Sequence, residues 1–319
     1  MRSVDDLVLL QRAAGEAARI ALGYFRQDPE VFWKEGNSPV SQADLAVDGF
    51  LRDFLLSARP RYGWVSEETA AEPPSGSEER FFVVDPIDGT RSFLRGETTW
   101  CVALAVIEGG RPTHGVIHAP VTGEIFDAIA DGPARVNGRQ LAEMPQVAGE
   151  RMRLSLPEGV RRRLDTADAA RIDFAAPIPS LAYRLAQVAH GRLDGTIVQP
   201  RANDWDIAAA DLIIDRAGGA LLNVAGQRHN YNLTPRRHGL LIAGGKGGYD
   251  TLRLDWFADP GPPDAVTVTR NLITAPGRTL QLSGIERFEI SQSVYRHDPW
   301  ADLSTPAETP KWAPLADLT

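Results

Sequence analysis

The sequence predicts a mixed α+β / α/β protein, with an antiparallel N-terminal sheet lobe followed by an α/β C-terminal lobe. Three observations carry this. Helical apolar spacing opens the chain. Strand-like apolar runs joined by tight turns fill residues 81–130. Beyond residue 145, short apolar runs alternate with helical patterns.

Residues 4–26 read as an amphipathic helix because Leu7, Leu10, Ala14, Ala17, Ala21 and Phe25 recur at spacings of three and four. Asn37-Ser38-Pro39 breaks the chain. A second helix is expected from Ser41 or Gln42, with Val47, Leu51, Phe54 and Leu55 as its apolar stripe. Residues 69–80, rich in Pro, Gly, Ser and Glu, read as a solvated loop. Residues 81–85 read as a buried strand. Residues 100–107, 113–119 and 124–130 follow as strands, turned at Gly109-Gly110 and Thr122-Gly123, a pattern that favours antiparallel pairing.

In the second half, 154–156, 195–198 and 220–224 read as strands and 181–190 as a helix with Leu181, Leu185 and Val188 on one face. Residues 205–217 form a helix stopped by Gly218-Gly219. We divide the chain into lobes at 1–145 and 146–252, with 253–319 as an extension of unassigned role. That extension holds eight of the 23 prolines and three of the seven tryptophans, Trp256, Trp300 and Trp312. Short strands are expected there at 266–273, 279–283 and 287–295, then extended or disordered chain from 298.

Composition limits the function. The 319 residues include 34 Lys and Arg against 42 Asp and Glu, a net charge of −8, so the chain has no general attraction for nucleic-acid polymers. The single cysteine, Cys101, excludes an intramolecular disulfide and zinc sites that need two thiolates. No signal-peptide core is read at the N-terminus, and the longest apolar run, 100–107, is far short of the ~18 residues that span a bilayer. A cytoplasmic protein that does not enter membranes is the expectation.

The strongest chemical signal is Asp85-Pro86-Ile87-Asp88-Gly89-Thr90, at the end of a hydrophobic strand. Two carboxylates around a proline-stiffened turn can point into one space, and Gly89 lets backbone approach a ligand. With the Ile87 carbonyl they form a hard oxygen set suited to Mg²⁺. Residues 91–94 can open a short helix whose free N–H groups would seat an anion. Read alone, the same letters also describe a turn with two solvated aspartates. Three further acids stand out: Asp206 at the start of a helix in Trp205-Asp206-Ile207-Ala208-Ala209-Ala210, Glu67 in Ser66-Glu67-Glu68, and Asp44 in Ser41-Gln42-Ala43-Asp44. Each taken singly could be a helix-terminal or exposed charge. His114 and His118 lie outside these motifs and read as structural, and Cys101 as a small core residue.

Together, in this order, these segments resemble the inositol monophosphatase superfamily of Mg²⁺-dependent, lithium-sensitive phosphomonoesterases, from about residue 5 to about residue 250. The resemblance implies a layered αβαβα sugar-phosphatase fold and two or three Mg²⁺ ions. It implies Glu67, Asp85, the Ile87 carbonyl, Asp88 and Asp206 as metal ligands, and Thr90 paired with Asp44 to activate the attacking water. It also implies that Gly89 and Thr90 amides hold the phosphate and that Lys34 lies near the metals. Arg91, the Thr98–Leu104 stretch and Gln199-Pro200-Arg201-Ala202-Asn203-Asp204-Trp205-Asp206 look like the bacterial 3'(2'),5'-bisphosphate nucleotidase branch. Arg201, where inositol phosphatases tend to carry an acidic residue in the approach, suits a substrate with a second phosphate, and Arg236 and Arg237 offer the same chemistry. The expected reaction is hydrolysis of 3'-phosphoadenosine 5'-phosphate to AMP and phosphate. Inositol-1-monophosphatase or histidinol-phosphatase activity is the alternative, and a protein-binding regulatory factor of the same fold the reading from another class. Oligomeric state stays open, a homodimer being one option.

Overall fold

The computed structural model describes residues 2–34, 38–75, 79–144, 151–223 except 163, 165 and 171, 226–245 except 235, and five short strands between 252 and 290. In chain order the elements are α1 (Arg2–Tyr24), β1 (Val31–Lys34), β2 (Ser38–Ser41), α2 (Gln42–Ala58), β3 (Gly63–Ser66), β4 (Phe81–Asp88), α3 (Thr90–Leu94), β5 (Cys101–Glu108), β6 (Arg111–Ala119), β7 (Glu124–Ile129), β8 (Arg135–Val136) and β9 (Arg139–Gln140). Then follow β10 (Met152–Leu154), α4 (Glu158–Arg161), α5 (Thr166–Ala169), β11 (Ile172–Phe174), α6 (Leu181–Ala189), β12 (Gly195–Val198), α7 (Asp204–Arg216), β13 (Gly219–Asn223) and β14 (Leu241–Gly245). The C-terminal strands are β15 (Leu252–Asp255), β16 (Ala265–Thr269), β17 (Leu272–Ala275), β18 (Arg278–Ser283) and β19 (Arg287–Ile290).

A seven-stranded sheet runs β3 to β9 in sequence order, antiparallel except for the parallel β3–β4 pair. Both of its faces are covered, as the near-unbroken apolar runs of β4 and β5 require. Phe81, Val83, Cys101, Ala103 and Ala105 face one core, while Phe82, Val84, Val102, Leu104 and Val106 face the other. On the second side lie α1 and α2, whose stripe of Leu10, Ala14, Ala17, Val47 and Leu51 is buried. On the first side lie α6 and α7, which pack on the outer sheet as well. That second sheet has order β11-β10-β12-β14-β13, with β10–β11 and β10–β12 parallel and the rest antiparallel. Its far face carries a smaller core of Leu154, Leu156, Ile172, Ile197 and Ile242, capped by Val160 of α4. The result is the expected layering, helix–sheet–helix–sheet–helix. Because α7 is sandwiched between two sheets, it is apolar on most of its circumference, and Ile207 through Ala210 and Leu212 through Ile214 are all buried.

Several local expectations shift. Ser38 and Pro39 of the expected break are the start of β2, which pairs antiparallel with β1 as a separate two-stranded ribbon. Pro39 is tolerated there because neither strand joins a larger sheet. The strand expected at 266–273 divides into β16 and β17 of an antiparallel meander, β15 to β19. The boundary near residue 145 and the stretch from 298 lie outside the described residues. No helix among the described residues is long and apolar enough to cross a membrane.

Candidate active site

The strand β4 does not end at Asp85. It continues to Asp88, so the proline-stiffened turn expected there is a bulge within a strand. Asp85 pairs with Ala103 and Asp88 with Cys101, so three steps along β4 match two along β5. In a regular strand, residues three apart face opposite sides. The extra residue reverses that parity and turns both carboxylates the same way. Pro86 sits within the bulge, where no ladder donor is demanded of it.

The third acid arrives from elsewhere in the chain. Asp206 lies in the first turn of α7, whose N-cap is Asn203, and one carboxylate oxygen accepts from the Asn203 backbone N–H at 2.6 Å. One oxygen each of Asp85, Asp88 and Asp206 lie within 4.8 Å of one another.

A parallel cap at α2 places the fourth acid. Asp44 accepts from the Ser41 backbone N–H at 2.7 Å and from its hydroxyl at 2.5 Å, leaving Oδ1 to face Thr90 Oγ1 at 3.1 Å. The same hydroxyl lies 3.1 Å from the Ile87 carbonyl oxygen, so its one proton has two competing acceptors. Gly89 caps α3 at φ 93°, a left-handed conformation that glycine adopts without cost. A Cβ there would meet Ser180 Cβ and the Thr99 carbonyl oxygen, each at 3.1 Å.

Burial and like charge set the electrostatics. Asp85 is held well above the usual carboxylate range by burial, then by the charges of Glu67, Asp88, Asp206 and Asp44. Burial and the Asp88 charge do the same to Asp206. Asp88 is also raised by burial, opposed by donors from the start of α6: Ser180 Oγ at 2.5 Å, the Ala182 N–H at 2.6 Å and the Leu181 N–H at 3.2 Å. Asp44 is raised by burial against its Ser41 and Thr90 hydrogen bonds. Asp85 Oδ1 is buried and has no hydrogen-bond partner among the described residues. An orphaned carboxylate oxygen beside two further acids, in a site where burial opposes charge, fits a hard divalent cation with oxygen ligands.

The remaining predicted residues fall around this centre. Glu67 follows β3, its N–H donating to the Val84 carbonyl at 3.2 Å, and its charge acts on Asp85 and Asp206 although it lies outside the trio. Arg91 is exposed on α3. Arg201 is exposed before α7 with φ 87°. Lys34 ends β1, and its side chain lies outside the described residues. Sequence reasoning missed Ser180 and Arg184 of α6. Ser180 was legible as a helix cap, since its hydroxyl also accepts from the Tyr183 N–H. Arg184 is nine-tenths buried, and burial lowers it to about 10 while the Asp88 charge pulls it up. Nothing in its local sequence marks it.

The sequence profile of the inositol monophosphatase family matches residues 3–254. A histidinol-phosphatase of Mycobacterium tuberculosis is 33% identical over 245 residues, covering 70% of this chain and 89% of the relative. The Nus factor SuhB of Pasteurella multocida is 30% identical over 236 residues, 69% and 85% of the two chains. Among solved structures, the extragenic suppressor protein suhB of Bartonella henselae superposes with a TM-score of 0.67 at 26% identity, over 76% of this chain and 94% of that one. The acids gathered by the β4 bulge and the caps of α2 and α7 are thus set in a shared fold, and this chain is a phosphatase belonging to the inositol monophosphatase family.

Proposed function

We propose that the protein is a Mg²⁺-dependent phosphomonoesterase that hydrolyses 3'-phosphoadenosine 5'-phosphate to AMP and phosphate. The observation that carries the metal-dependent reading is the meeting of Asp85, Asp88 and Asp206 oxygens within 4.8 Å, with Asp85 Oδ1 left unpartnered. In this reading Glu67, Asp85, the Ile87 carbonyl, Asp88 and Asp206 hold two or three ions. When bound, such ions lower the pKa of a coordinated water and offset charge on the leaving oxygen. The chain's own residues do the rest. Thr90 orients the attacking water through its hydroxyl, and Asp44 accepts the proton that passes from water through that hydroxyl. Asp44 is suited to this because burial makes its carboxylate more basic than usual. The Gly89 and Thr90 amides hold the phosphate, with Gly89 supplying a backbone that no side chain crowds.

The exposed Arg91 and Arg201 favour a substrate carrying a second anionic group. A second reading rests on the relatives, whose names point to histidinol phosphate and inositol phosphate. One relative is named as a factor rather than as a phosphatase, and the reading from another class is a protein-binding regulatory factor of the same fold. A phosphate-release panel separates them. With Mg²⁺, we expect 3'-phosphoadenosine 5'-phosphate to exceed inositol 1-phosphate and histidinol phosphate in kcat/KM by about tenfold or more. The opposite order overturns the nucleotidase reading, and release from none of the three turns it toward the binding role.

A further inference from the structure

Just upstream of Asp206, two distant segments interlock. The Arg201 N–H donates to the His238 carbonyl at 2.8 Å, and the His238 N–H donates to the Ala202 carbonyl at 2.7 Å. Asn203 and Arg237 form an isolated antiparallel bridge. Asp204 is almost fully buried, and both of its oxygens are engaged from the second segment: His238 Nε2 lies 2.7 Å from Oδ1, and the Arg236 backbone N–H donates to Oδ2 at 3.2 Å. His229 stacks edge-on against His238 with ring centroids 4.8 Å apart.

This clasp has two consequences. It over-determines the left-handed backbone of Arg201, a non-glycine residue at φ 87°, a strained conformation that persists only where the surroundings enforce it. It also turns the one acid of the turn, Asp204, inward, while Arg201, Arg236 and Arg237 stay exposed. Among the described residues no carboxylate forms an ion pair with these three guanidinium groups. In a chain of net charge −8, three exposed arginines are thus carried on two paired segments, one of which leads directly into the cap of Asp206.

We propose that residues 236–238 and 201–204 build an anion subsite at the rim of the acidic centre. Arg201, Arg236 and Arg237 receive a second phosphate of the substrate, and His238 with Asp204 are the positioning pair. This rests on the bisphosphate reading above. Guanidinium groups suit that ligand because each offers paired N–H donors to phosphate oxygens, and charge-assisted pairs are stronger than neutral ones.

The test is equilibrium binding to the full chain by titration calorimetry, with Ca²⁺ in place of Mg²⁺ so that binding is read apart from turnover. The ligands are adenosine 3',5'-bisphosphate and adenosine 3'-monophosphate, which differ by the second phosphate alone. We expect the bisphosphate to bind the unaltered protein about tenfold more tightly or better. R236A/R237A should reduce that preference to about threefold or less, as should H238F, while H238Q, which restores a donor to Asp204, should keep it. Equal binding of the two ligands, or a preference that survives R236A/R237A, overturns the subsite; circular dichroism confirms that the variants compared are folded. Phosphate release from the bisphosphate without any binding preference overturns the subsite alone. A preference without release overturns the nucleotidase reading and leaves the subsite standing.

Discussion

At the residue scale, the site holds charges that the fold does not favour. Asp85 is raised by burial and by neighbouring acids, so in the metal-free protein the folded state binds a proton that the unfolded chain releases. Stability therefore falls as pH rises from the unfolded carboxylate range near 4 toward the folded pKa. Asp85→Asn removes this penalty. We expect metal-free D85N to melt several degrees above the unaltered protein at pH 7.5, on the order of 1 kcal/mol or more, with the gap closing as pH approaches 4–5. A lower melting temperature for D85N at pH 7.5 would mean that partners, not repulsion, govern the residue. Thr90 makes a different demand, for a hydroxyl near Asp44 Oδ1. Thr90→Ser should keep most of kcat, whereas Thr90→Val should lower it by about 10²–10⁴ with little change in melting temperature. Equal activity in the two variants would remove Thr90 from the chemistry.

At the element scale, three helix starts do the assembling. The caps of α2 and α7 each tie an acid to its own helix, at Asp44 and Asp206, and the start of α6 donates to Asp88. The bulge in β4 brings Asp85 and Asp88 to one side, and Gly89 then turns the chain into α3 beside Ser180. Gly89→Ala combines a left-handed backbone, about 1–2 kcal/mol for a non-glycine residue, with contacts that α6 must yield to. It should lower the melting temperature and cut kcat by about tenfold or more, measured together on the same preparation. Unchanged kinetics in G89A would show that the α3–α6 contact does not govern the site. The sequence displayed α1, α2, α6 and α7 well because their apolar residues recur at helical spacing, whereas the one-turn helices α4 and α5 are too short to show a stripe. It displayed β1, β2 and β14 poorly: Asn37 and Pro39 read as a break, and Leu241–Gly245 ends in two glycines that weaken a strand pattern.

At the scale of the whole molecule, the acidic centre lies where the seven-stranded sheet, α6 and α7 converge, so ligand binding there ties elements from both halves of the chain together. A divalent cation that binds the folded state alone must stabilise it, by about 2.7 kcal/mol at a hundredfold excess over Kd. We expect Mg²⁺ to raise the melting temperature and to abolish activity on removal by chelator, with D206N losing both responses. A Mg²⁺-induced rise of unchanged size in D206N would place the cation elsewhere. The same convergence gives Phe126 its weight: fully buried against Tyr183 and His190, its replacement by Ala should cost about 3–5 kcal/mol in denaturant unfolding.

The sequence alone determined the apolar runs of β4 and β5, the stripes of α1 and α2, and the identity of the acids in Asp85-Pro86-Ile87-Asp88-Gly89-Thr90, because these are local patterns written within a few turns of chain. Tertiary structure decided what those acids face. The parity reversal at Pro86 depends on pairing with β5. Ser180 bonds Asp88, and the Arg184 charge acts on it, only because α6 is sandwiched beside β4, and the clasp on Arg201 comes from His238, far along the chain. Such contacts are made between segments remote in sequence, and packing rather than spacing selects them, so no local pattern announces them.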